Sequence, residues 1–189
     1  MHRDNEVRTL CMKDVNTIIR EHNLILEVLD VMGKICDTME GGRQMNKIYL
    51  SEITEFMDGF MDQYHHNKEE RIIFPSLLGG SFNEDGMTVV KLVNQHAHGR
   101  EMSKIMKHAI STMSNWSWNA NRMFVTYARG YALFFTNHIF LENALIMNYM
   151  ERGMVPTETK DESLKPVEEV SISDSYGELP KTLQKWLLD

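Results

Sequence analysis

Six residues able to hold a metal ion lie on the apolar stripes of this chain, and their spacing repeats. His22 and His96 are 74 positions apart, while His65 and His138, like Glu69 and Glu142, are 73 apart. Each sits in a run of apolar residues that recur every three or four positions. The first run holds Ile18, His22, Ile25, Leu29, Met32 and Cys36; the second holds Met57, Met61, His65, Glu69 and Ile72. The third holds Val89, Leu92, His96, Ser103 and Met106, and the fourth Tyr131, Phe135, His138, Glu142, Leu145 and Tyr149. That period is helical, and strand-type alternation is absent. Gly41-Gly42, Pro75 with Gly79-Gly80, and a polar stretch from Ser114 to Asn121 separate the runs. Four helices with short connections predict an all-α, antiparallel up-down four-helix bundle.

The bundle is assigned to residues 1–152 and an extended tail to residues 153–189. Three of the four prolines fall in the tail, and residues 157–178 carry seven acidic side chains against two lysines. This composition predicts an extended or disordered arm. It ends in a short amphipathic helix marked by Leu179, Leu183, Trp186 and Leu187. That stripe is expected to bury against a groove on the bundle, with a protein partner or a second copy as the alternative. Leu133, Ile139 and Phe140 lie off the fourth core stripe and are expected to be covered by the tail or another subunit.

Composition excludes several classes. A net charge of −7 argues against a broad nucleic-acid-binding face. No apolar run approaches the ~18 residues of a membrane span, and no leader-type apolar region opens the chain. Two cysteines, Cys11 and Cys36, cannot build a disulfide framework. The expectation is a cytoplasmic protein. The 15 methionines read as adaptable helical core filler.

The six polar residues on apolar faces need partners or a metal, because unpaired burial is costly. His65–Glu69 and His138–Glu142 are i, i+4 pairs. Four residues turn a helix by about 400° and rise about 6 Å, so each pair stacks on one face. Each half of the chain thus offers a histidine and then an H-x-x-x-E pair. Two equivalent sets argue for two metal ions. Imidazoles and carboxylates without thiolate favour iron or manganese over structural zinc. No glutamate has a histidine three positions on, which excludes the ferritin-type motif.

The strings around these residues resemble the hemerythrin-like (HHE cation-binding) proteins. They are Arg20-Glu21-His22, the run from His65-His66-Asn67-Lys68-Glu69-Glu70 to Phe74-Pro75, Gln95-His96 with Gly99-Arg100, and His138 to Glu142-Asn143. The likeness covers about residues 12–152. It implies a non-haem di-iron centre, probed by dioxygen, nitric oxide or peroxide, with His22, His65, Glu69, His96, His138 and Glu142 as ligands and both glutamates bridging. A bridging oxo or hydroxo group is implied as well; manganese and zinc are disfavoured.

His66 and Glu70 form a second i, i+4 pair, but stepping back from His66 meets Asp62 and Gly59, so this pair is expected on a solvated face. His98 shares a face with Lys91, Asn94 and Glu101 and is not expected to ligate. His2 and His108 have no supporting pattern. Oxygen carriers of the family have a further histidine four positions after the third-helix one. Arg100 stands there, either as a cation near the site or extended to solvent. The ligand count then leaves one open position on each iron. Tyr131, seven positions before His138, is expected to line the pocket as a core residue or to fill a vacancy. The implied function is binding of, or reaction with, small oxidants, in sensing or iron-linked stress response. Repair of damaged iron centres is the alternative, and an interaction module with a vestigial site is the third reading.

Overall fold

The computed structural model describes residues 12–78, 84–113, 118–153 and 176–188. All elements among these residues are helical: α1 (Met12–Glu40), α2 (Lys47–Phe56), π-helical segments at Met57–His66 and Glu69–Ile73, α3 (Phe74–Leu78), α4 (Glu84–Thr112), α5 (Trp118–Glu151) and α6 (Leu179–Leu188). The fold is an all-helical bundle.

Two apolar clusters fix the direction of each helix. One gathers Val15, Ile18, Ile73, Phe74, Leu77, Val89, Leu92, Leu145 and Ile146. The other gathers Ile25 to Cys36, Leu50 to Met61, Met102 to Met113 and Phe124 to Ile139. Along α1 the chain passes from the first cluster to the second, and along the second helix it returns. The fourth and fifth α-helices repeat the traverse, which is the up-down-up-down order. Every crossing between the clusters carries one of the polar ligand candidates: His22 between Ile18 and Ile25, His65 and Glu69 between Met61 and Ile73, His96 between Leu92 and Met102, and His138 and Glu142 before Leu145. The bundle is two apolar layers with a polar layer between them.

Local chemistry sets the ends. The α1 helix stops at Gly42, whose φ of 89° suits glycine, with Gly42 N donating to Met39 O and Arg43 N to Thr38 O. Asn46 caps α2, its side chain accepting from Ile48 N at 3.0 Å.

Pro75 does not end the second helix. The chain changes from π to α winding at Phe74, and the proline falls in the first turn of the new segment. A missing N–H is tolerated at such a position.

Gly99 lets α4 and α5 approach closely. A Cβ there would stand 2.3 Å from Cζ of the buried Phe135 ring. Gly99→Ala is expected to destabilise the protein by about 1–3 kcal/mol through overpacking, read as a lower urea midpoint. An unchanged midpoint would mean that the ring relocates freely.

The tail helix covers one side of the bundle. Leu183 is fully buried in the larger cluster, and Leu179, Trp186 and Leu187 pack against it. Trp186 stacks on Tyr49 at 3.8 Å, and Arg43 donates to Leu187 O. Its apolar stripe is therefore spent on the bundle. Residues 157–175 of the acidic arm, and Cys11, lie outside the described residues. Ile139 belongs to the core rather than to an outer face. Leu133 and Phe140 remain 68% and 73% exposed, so α6 does not cover them. No helix among the described residues is long and apolar enough to cross a membrane.

Candidate metal centre

The polar layer brings all six sequence-predicted residues together, each almost completely buried. Glu69 and Glu142 stand at its middle, and each spreads its two oxygens between two histidine pairs. Glu69 Oε1 lies 3.3 Å from both His22 Nε2 and His65 Nε2, while its Oε2 lies 3.5 Å from His96 Nε2. Glu142 Oε2 lies 3.3 Å from His22 Nε2, and its Oε1 lies 2.9 Å from His138 Nε2 and 3.5 Å from His96 Nε2. His96 and His138 face each other with Nε2 atoms 3.0 Å apart. Glu69 Oε2 and both Glu142 oxygens have no hydrogen-bond partner although they are buried.

The other nitrogen of each imidazole is held from outside. Nδ1–H of His22 donates to Asn143 Oδ1 at 2.7 Å, and that of His65 to Glu21 Oε2 at 2.8 Å. His96 donates to Glu70 Oε1 and His138 to Gln95 Oε1, both at 2.8 Å. All four rings therefore present Nε2 to the centre, in the tautomer that metal ligation uses. These four outer partners escaped the sequence reading, yet the repeat carries them. Glu21 and Gln95 are 74 positions apart, and Glu70 and Asn143 are 73 apart.

Burial alone would lower the His22 imidazole, but the Glu142 and Glu69 carboxylates beside it outweigh that and push it up to about 10. His96 is raised for the same reason. Burial would raise the Glu142 carboxyl, yet His138, His22 and His96 hold it well below the usual carboxylate range. The layer thus has a strong preference for positive charge near its two carboxylates.

Two groups of mutually close donors emerge: His22, His65, Glu69 and Glu142 in one, and His66, Glu69, His96 and His138 in the other. His66 corrects the expectation of a solvated face. It is only 2% exposed and its ring stacks on His96 at 3.8 Å and 8°. The π-helical winding is the cause: a turn that takes up an extra residue turns two consecutive side chains inward. Periodicity counted at the α-helical spacing misses this; the doubled H-H-x-K-E-E string was the available signal. Glu70, about 29% exposed, faces inward as well, accepting from His96.

Arg100 does not simply extend to solvent. It donates to Asp62 Oδ1 at 2.7 Å and to Glu70 Oε1 at 3.1 Å, and so anchors the carboxylate that orients His96. Tyr131 lies in the core with its hydroxyl donating to Met61 Sδ at 3.2 Å. Burial raises its phenol, so it stays neutral. His98 is exposed against Phe134. Cys36 is buried with its thiol pushed up to about 12 by burial, far from thiolate chemistry.

Glu21 has a second duty. It pairs with buried Lys68, which also lies over the Tyr64 ring at 4.1 Å. Glu21→Ala would strand that ammonium in the core and release the His65 ring. We expect a loss of about 3–5 kcal/mol, seen in denaturant unfolding; a loss below about 1 kcal/mol would place Lys68 in water.

The profile of the Hemerythrin HHE cation binding domain matches residues 13–150, well over half of the chain. The chain belongs to this family, whose defining property is cation binding. Searches of curated proteins and of solved structures gave no significant match.

Proposed function

We propose that the polar layer holds two iron ions and that the protein binds or reacts with small oxidants. His22 and His65 would hold one ion and His96 and His138 the other, with Glu69 and Glu142 each giving one oxygen to both. The observation that carries this reading is the set of three buried carboxylate oxygens without hydrogen-bond partners, each within 3.5 Å of at least one imidazole Nε2. A buried carboxylate without donors is costly, and a cation resolves that cost. The donor chemistry of nitrogen and oxygen without sulfur suits iron. Iron bound there would supply one-electron redox chemistry and exchangeable coordination positions.

The protein supplies the rest. The outer carbonyl and carboxylate partners fix each imidazole, and the two apolar layers exclude bulk water. A cavity of about 150 Å³ adjoins the donors at His66, His96, Tyr131 and Phe135. Sites for drug-sized ligands occupy roughly 300–1,000 Å³, so this approach suits a diatomic or peroxide. The role assigned in this reading is sensing or iron-linked stress response, in a cytoplasmic setting.

The test is anaerobic reconstitution with ferrous iron. About two ions per chain are expected, followed by prompt oxidation on exposure to air. One ion per chain, or none, would overturn the reading, and reversible oxygenation over many cycles would replace reaction by carriage.

A further inference from the structure

We propose that the outer face of α5 is a two-fold interface on which a second copy of this chain docks, antiparallel and centred on Phe140. From Gly130 to Met150 the sole acidic or basic side chains are those of the buried His138 and Glu142, in a chain that is 25% Asp, Glu, Lys and Arg. A helix face turned to solvent is ordinarily polar and charged. Here the outward positions are Leu133, Thr136, Phe140, Ala144 and Met147, all exposed. Phe140 and Leu133 are the two most exposed large apolar side chains among the described residues.

The spacing is that of a seam between two helices. The five positions advance by three, four, four and three residues, so Leu133, Phe140 and Met147 fall one heptad apart. At 1.5 Å per residue the seam runs about 21 Å. The order of steps is also the same from either end. In a two-fold contact residue i meets j, and j meets i. With Phe140 on the axis, Leu133 faces Met147 of the second copy, Thr136 faces its Ala144, and the two Phe140 rings meet each other. Every position on the stripe finds an uncharged counterpart.

Charge selects the occupant. With a net charge of −7, two copies repel over most of their surface, and an uncharged face is where they can approach. Residues 157–178 hold seven acidic side chains against two lysines, and this stripe offers them no cation. The α6 helix is already spent on the bundle, with Leu183 buried and Trp186 stacked on Tyr49. At the rim Arg129 falls opposite Glu151 of the second copy. Arg129 is held by Asp37 and Glu40 of its own chain, so the seam and not its ends must supply the affinity. Stable interfaces take about 800 Å² from each partner. A single-helix seam lies at the small end, so this dimer exchanges with monomer.

The experiment is sedimentation equilibrium of the full, iron-loaded chain from about 1 to about 300 µM. The mass should climb from 22.0 kDa toward twice that value. Phe140→Glu sets two carboxylates against each other on the axis and should weaken the dimer at least about 100-fold. Ile48→Glu, at an exposed apolar position on α2, should dimerise as wild type. Leu133→Lys and Met147→Glu test the register: mixed, they should associate about tenfold more tightly than either alone. A mass of 22.0 kDa at every concentration would overturn the proposal. If Phe140→Glu also lowered the melting temperature of that monomer, the stripe would belong to residues 154–175 of the same chain. Dimers that persist in Phe140→Glu, or a mixture without preference, would overturn the α5 seam. If a variant does not fold, the wild-type mass still decides. Iron content measured on each sample reports separately on the dimetal reading, on which this interface does not depend.

Discussion

Removing the metal is expected to lower the melting temperature by on the order of 10 °C or more, and by more at high pH than at low. The polar layer explains the size. A ligand that binds only the folded state at a thousand times its dissociation constant adds about 4 kcal/mol. Each kcal/mol moves the midpoint by about 2–4 °C in a chain of this length. The pH dependence follows from the groups that lose their cation. In the metal-free protein His22 is pushed up to about 10 by Glu142 and Glu69, against an ordinary value of 6.5. The stability from its charged form is complete below the ordinary value and drains away as pH rises through about 10. Glu142 acts in the other direction. It is held well below its ordinary 4.5, so its contribution is present above that value and is lost in acid. The metal-free bundle is therefore most stable in a mildly acidic window. Metal binding needs deprotonated imidazoles and releases protons, so its affinity grows over the range in which the metal-free form weakens. Scanning calorimetry of both forms from about pH 6 to about pH 9 measures the gap. A gap that narrows with pH, or identical curves after verified chelation, would mean that the layer is satisfied without a cation.

The helical period made the bundle legible because each helix spans two apolar clusters and buries one continuous stripe. The six ligand candidates were legible for a simpler reason: a carboxylate or an imidazole on such a stripe has no bland partner in the pattern. The repeat doubled that signal at His22/His96, His65/His138 and Glu69/Glu142. What the sequence concealed depends on departures from α-helical geometry and on tertiary reach. His66 turned inward because Met57–His66 winds as a π-helix, and no residue type in that stretch dictates the wider turn. Pro75 stayed within a helix because the same winding ended just before it. Arg100 could not be placed from its own helix, since its partners Asp62 and Glu70 come from the second helix. Leu133 and Phe140 stayed uncovered because α6 docks on α1 and α2, a choice made by Tyr49, Leu183 and Trp186 across long sequence separation.

Glu69→Ala is expected to weaken both metals together, by at least about 100-fold each, rather than to empty one and spare the other. Its two oxygens face different histidine sets, Oε1 toward His22 and His65 and Oε2 toward His96. Loss of the carboxylate therefore removes a donor from each ion and half of the anionic charge between two divalent cations. In a water-poor layer that charge is not replaced by solvent, and the remaining repulsion between the cations is poorly screened. Glu142→Ala should behave alike, because its oxygens divide the same way. An outer partner offers the contrast. Glu70→Ala leaves every donor in place but frees the His96 ring and one hydrogen bond of Arg100, a change that typically costs about 10–100-fold at one metal. Titration against a chromophoric chelator, followed by metal analysis of the desalted chain, separates these outcomes. If Glu69→Ala retained one ion at wild-type affinity, its carboxylate would serve a single metal. The two histidine pairs would then be independent sites instead of one bridged centre.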